Sequence, residues 1–184
     1  QHNVRNALAV LGLLHRMGLD VQSGANALAE FTGAGRRFDL RGEAGGVTII
    51  DDYAHHPTEI RATLAAARLR YPNRRIWAVW QPHTFSRTLT LLEAFKQAFT
   101  DADQVIITEV YGARESSTRF SAADLVAQMP HPNAHFAATL PEAAARLVAG
   151  LRPGDVLLVL SAGDADQVSQ QVFEILSKRE INHA

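Results

Sequence analysis

Four short stretches of this sequence gather side chains that can bind charge or move protons. Asp51-Asp52-Tyr53-Ala54-His55-His56 sets two carboxylates, a phenol and two imidazoles side by side. Gln81-Pro82-His83-Thr84-Phe85-Ser86-Arg87-Thr88 adds an imidazole and a guanidinium. EVYGARESS, from Glu109 to Ser117, carries acids and an arginine, and Ser161-Ala162-Gly163-Asp164 is a run of small residues ending in an acid. A carboxylate can hold both hydroxyls of a ribose, and an imidazole can orient a ligand carboxylate near neutral pH. A guanidinium grips carboxylate or phosphate in a two-pronged fork. Each stretch also has a plainer alternative. Asp51 or Asp52 could do no more than cap the next helix, and Arg87 could be solvated behind Ser86 as a cap. On local grounds EVYGARESS reads first as a solvated charged loop, and SAGD as a turn. Adjacent histidines on a strand or loop point apart, so no metal is expected at His55 and His56.

What unites the four stretches is their position. Val47-Thr48-Ile49-Ile50 is a β-branched, apolar run of the kind a strand buried on both faces requires. Pro57 then opens a helix to about Tyr71, rich in Ala, Arg and Leu. The alternation repeats: strand Ile76–Trp80 and a helix from about Thr88 to Phe99, strand Val105–Thr108 and a helix near Ala122–Gln128. A short strand near His135–Ala137 precedes the helix Pro141–Ala149, and strand Val156–Leu160 precedes a helix from Asp166 to about Leu176. The fold class expected is α/β, a Rossmann-like, mostly parallel sheet with helices on both faces. The polar stretches fall at carboxyl ends of strands, where open α/β sheets bind ligands. Arg87 would begin a helix, where the dipole disfavours a cation, and an anionic ligand accounts for it better than solvent does.

Before this alternation, Val4, Ala7, Leu8, Leu11 and Leu14 recur at helical spacing to Arg16, and Gly18 supplies a stop. A second helix is expected from about Gln22 to Phe31, ending at Gly33. The glycine-rich, basic stretch TGAGRRFDLRGEAGG reads as a linker leading into a short strand, so residues 1–33 and 34–184 are expected to be separate domains. The chain opens on Gln1 within a helical pattern, which reads as a piece of a longer protein.

Composition narrows the classes. Of 184 residues, 47% are hydrophobic and 20% charged, with a net charge of −1 and no cysteine. A real core is affordable, thiol chemistry is excluded, and no bulk field recruits nucleic acid or anionic membrane. Neither a signal peptide nor an apolar run of about 20 residues is present, and a cytoplasmic protein is expected. The only lysines are Lys96 and Lys178, and no Gly-x-x-x-x-Gly-Lys-Ser/Thr occurs, so this chain makes no phosphate loop of its own.

Taken in order, HNVRNALAV, GAGRRF, DDYAHHPTEI, QPHTFSRT and YGARE resemble the Mur ligase family, most closely its alanine-adding branch, from His2 to about Leu176. The resemblance implies an enzyme with a UDP-sugar domain, a central ATPase domain and a Rossmann-like C-terminal domain. This chain would hold the last helices of the second and all of the third. It implies an ATP- and Mg²⁺-dependent ligase of peptidoglycan precursor synthesis that activates the carboxylate of UDP-N-acetylmuramate and joins it to L-alanine. Alone, the chain would be inactive and hold no cofactor tightly. Residue by residue, the resemblance places Asn3, Asn6, Arg37 and Asp52 on the ATP side. It places Tyr53, His55, His83 and Arg87 around the amino acid, with Arg87 on its carboxylate. Thr84 stands where many members carry a second arginine, and Ser161 where a glycine is common. Rival readings are a recycling ligase that attaches a whole tripeptide, against which QPHTFSRT argues, a non-catalytic nucleotide or amino-acid sensor, and a structural partner-binding domain.

Overall fold

The computed structural model describes residues 2–31, 35–116 and 119–183, which divide into two compact units, 1–35 and 36–184. In the first unit, α1 (His2–Arg16) and α2 (Val21–Glu30) are joined through Gly18, whose φ of +70° only glycine adopts freely. Asp20 caps α2 by accepting from the Gln22 and Ser23 N–H groups. Gly24 has no Cβ where a Leu14 methyl packs, which lets the two helices approach.

The second unit is built on a six-stranded sheet in the order β1-β2-β6-β3-β4-β5. The strands are β1 (Asp39–Ala44), β2 (Val47–Asp52), β3 (Ile76–Trp80), β4 (Gln104–Thr108), β5 (Ala134–Ala137) and β6 (Val156–Leu160). Five of them run parallel, and β2, β3 and β6 are buried along their whole length, as continuous apolar runs should be. The short strand expected after the linker is present as β1, and it forms an antiparallel hairpin with β2, turning on Gly45 and Gly46 at φ +59° and +69°. Positive φ at both turn residues matches the strand twist, which is why a Gly-Gly pair serves here.

Side chains alternate across the sheet. Ile50, Trp80, Leu158 and Leu160 meet α3 (Pro57–Arg70), α5 (Leu92–Lys96) and α6 (Ala122–Val126) on one face. Ile49, Val79, Leu157 and Val159 meet α7 (Leu140–Gly150) and α8 (Asp166–His183) on the other. Trp80 stacks on Phe95 with ring centroids 4.4 Å apart, and burial of side chains this size contributes about 2–3 kcal/mol each. The helix expected from Thr88 to Phe99 is instead two short helices, α4 (Phe85–Thr90) and α5, broken at Leu91. Among the described residues no helix is long and apolar enough to cross a membrane.

Candidate amino-acid and nucleotide site

The carboxyl ends of β2, β6, β3 and β4 lie side by side, so their loops form one crest. At its centre Gln81 ties β3 to the loop after β6. The Gln81 side-chain Oε1 accepts from the Ser161 hydroxyl at 2.8 Å and from the Asp164 and Ala165 N–H groups. Its amide donates to Asp164 Oδ1 at 2.8 Å. Ser161 is fully buried, and its hydroxyl also accepts from Gly163 N–H at 2.9 Å. The Ser161 side chain is therefore used within the crest. A Cβ at Gly163 would collide with Gln81 Oε1 and lie 2.9 Å from Tyr111 Cγ, so the backbone there approaches as only glycine allows.

The loops after β3 and β4 are zipped together. Tyr111 N–H donates to Pro82 O at 2.8 Å, and Thr84 N–H donates to Tyr111 O at 2.9 Å. Thr84 has φ +67°, costly for a β-branched residue. It occupies the cap position of α4 without making a side-chain cap. Ser86, the cap expected from sequence, instead gives both its N–H and its hydroxyl to Glu115. These bonds hold the Glu115 carboxyl below the usual carboxylate range, the Ser86 hydroxyl contributing most. EVYGARESS is thus no free solvated loop as far as Ser116; Ser117 lies outside the described residues.

Four rings line the crest in sequence. Tyr53 and His55 are 5.5 Å apart, His55 and His83 6.1 Å, and His83 and Tyr111 5.6 Å. Burial, with Arg87 and His55 adding positive charge nearby, pushes the His83 imidazole below its ordinary value. His83 Nδ1 and Arg87 Nη1 are both buried without a hydrogen-bond partner. Buried nitrogens of this kind are seldom left unpaired, and each has the chemistry to donate to an anion. A cavity of about 220 Å³ is lined by Gln81, Thr108, Tyr111 and Asp164.

Asp52 is otherwise engaged. Its Oδ1 accepts from Ala54 N–H at 2.8 Å and from Thr63 Oγ1 at 3.3 Å, and its Oδ2 from Phe38 N–H at 2.7 Å. Neither aspartate caps α3, contrary to the plainer alternative. His56 occupies that position in a capping box with Glu59. Arg37 is exposed, its guanidinium 5.5 Å from the Tyr53 ring. It is Arg36 that is built into the crest, donating to Ser161 O at 2.7 Å and Gly163 O at 3.2 Å. Tyr53 N–H in turn donates to Arg36 O at 2.7 Å.

Of the residues singled out from sequence, Tyr53, His55, His83 and Arg87 are brought to one crest, with Asp52 and Arg37 at its β2 side. Asn6 is exposed on α1 in the other unit, and the side chain of Asn3 lies outside the described residues. Sequence reasoning missed Gln81, Arg36 and Glu115. The only signal was a polar residue directly after an apolar strand for Gln81, and nothing separated Arg36 from Arg37.

The chain belongs to the Mur ligase family: residues 36–163 match the family profile described as "Mur ligase, glutamate ligase domain". It is 50% identical over 179 residues to the UDP-N-acetylmuramate–L-alanine ligase of Roseiflexus sp. strain RS-1, covering 97% of this chain and 38% of that protein. The crystal structure of the UDP-N-acetylmuramate–alanine ligase from Thermotoga maritima superimposes with a TM-score of 0.75 at 33% identity, over 97% of this chain and 38% of that one. A murein peptide ligase from Psychrobacter arcticus gives a TM-score of 0.75 at 25% identity, over 96% and 37%. The chain therefore spans well under half the length of these relatives.

Proposed function

We propose that this chain is the amino-acid-binding part of an ATP-dependent ligase that joins L-alanine to UDP-N-acetylmuramate in peptidoglycan precursor synthesis. One observation carries the reading at the site: His83 Nδ1 and Arg87 Nη1 are buried and unpaired beside the imidazole cluster. The names of the relatives that cover nearly the whole chain point to the same substrates. Arg87 receives the alanine carboxylate, a charge-assisted bond stronger than a neutral one. Tyr53 and His55 wall the pocket opposite Tyr111. His83, kept neutral near pH 7 by burial and by Arg87, adds no competing cation where an amine must lose its charge before it can attack. ATP, when bound, supplies the phosphoryl group that activates the acceptor carboxylate. Towards it, exposed Arg37 is free to meet phosphate, and Asp52 keeps room for about one more donor, such as a ribose hydroxyl. Asn3 and Asn6 are assigned to the adenine side. Binding the amino acid in a fixed pose and excluding water are the contributions asked of this chain.

The test is steady-state kinetics of the longer ligase that carries this segment. Arg87→Ala is expected to raise KM for L-alanine by about 100-fold or more, the loss of a charged pair costing roughly 3 kcal/mol, while KM for ATP stays within about twofold. Activity with a tripeptide and none with alanine would overturn the substrate assignment. An unchanged KM for alanine would overturn the site.

A further inference from the structure

The residue that aims Arg87 sits far from it in sequence. Helix α4 has only six residues, and its cap position is filled by Thr84, at φ +67°, whose carbonyl accepts from the Thr88 N–H and hydroxyl but whose side chain gives the N–H groups of the first turn no support. That support comes from the neighbouring loop. Glu115 Oε2 accepts Ser86 N–H at 2.9 Å and Oε1 accepts the Ser86 hydroxyl, so one carboxylate holds the residue next to Arg87 by two bonds. The loop that delivers Glu115 is itself fixed to the β3 side by the paired bonds of Tyr111 with Pro82 and Thr84. Gly112 lets it lie close, since a Cβ there would stand 3.1 Å from the Phe85 ring and 3.2 Å from Glu115 O. Glu115 is exposed, so burial does not explain its place. Its two bonds to Ser86 do.

We propose that Glu115 is a positioning residue for the amino-acid site: capping α4 from the adjacent loop, it fixes the turn from which Arg87 reaches the amino-acid carboxylate. This rests on the site reading given above. A cap made by a second loop also joins the β3 and β4 loops into one part, so a change at the β4 loop is felt as amino-acid affinity.

The experiment compares Glu115→Ala, Glu115→Gln and Arg87→Ala in the longer ligase. Glu115→Ala is expected to raise KM for L-alanine about tenfold, the size of effect a lost cap produces, with kcat and KM for ATP within about twofold. Glu115→Gln keeps one acceptor oxygen for the Ser86 N–H, its amide can donate to the Ser86 hydroxyl, and it is expected to stay within about threefold of the parent. An unchanged KM in Glu115→Ala overturns the proposal, provided Arg87→Ala raises it. An equal rise in both Glu115 variants also overturns it, because charge and not capping would then be responsible. So does a parallel rise in KM for ATP with a fall in melting temperature, which marks general destabilisation. If Arg87→Ala itself leaves KM for alanine unchanged, the site reading fails and this proposal fails for that separate reason.

Discussion

Asp52 accepts three hydrogen bonds, whereas Asp51, one residue earlier in β2, is 1% exposed with Arg41 Nε 3.2 Å from its Oδ2. Nothing in the dipeptide separates the two. Alternation along β2 does, turning them to opposite faces. Burial pushes the Asp51 carboxyl up to about 6, with Ser169 and Arg41 pulling the other way. A carboxyl raised in the folded state binds a proton there before the unfolded chain does. The contribution of this one group to stability is therefore greatest below the unfolded value of about 3.9 and is lost as pH rises to about 6, by about 3 kcal/mol in all. Asp51→Asn mimics the protonated form. It is expected to raise unfolding free energy at pH 7.5 and leave it near that of the parent at pH 4, as measured by denaturant melts at both pH values. Equal loss of stability at both would show that the carboxylate is held by its partners better than burial implies.

The loops between elements carry most of what the sequence kept hidden. Strands β2, β3, β4 and β6 were legible because a strand buried on both faces must be apolar throughout, and α3 because Pro57 and the Ala-rich run leave few alternatives. The β1–β2 hairpin was legible in principle from Gly45-Gly46, but the basic, glycine-rich stretch before it reads equally as a linker. The break between α4 and α5 has no sequence signal, since neither glycine nor proline marks Leu91. The knot around Gln81 depends on strand order, which places β6 between β2 and β3 although it is last in the chain. That adjacency makes Gly163 an element-scale constraint. Gly163→Ala is expected to cost about 1–3 kcal/mol, because its Cβ meets a Gln81 side chain already fixed by four hydrogen bonds and a Tyr111 ring stacked on His83. A thermal melt checks this. A midpoint equal to the parent's would mean the crest loops yield more easily than their bonding suggests.

At the scale of the whole molecule, the two units differ in how their apolar residues are used. The sheet unit buries a core on each face of its sheet, and β3 and β6 are sealed along their length. In the helix pair no described residue is buried, and Val4, Leu8, Leu13 and Met17 are 58–63% exposed. Helices of 15 and 10 residues are marginal in water on propensity alone, and α1 and α2 gain what stability they have from packing. The capped turn at Asp20 and the close contact at Gly24 hold the pair together locally, but each contributes on the order of 1 kcal/mol, far less than a core. Amide hydrogens within 2–30 of the isolated chain should therefore exchange through local opening, well before those of β3 and β6, which wait for global unfolding. Hydrogen exchange followed by mass spectrometry at neutral pH resolves the two units directly. Protection of α1 and α2 matching that of β6 would require those exposed apolar side chains to be covered in solution, and the helix pair would then be a cooperative part of the fold and not a loosely held element.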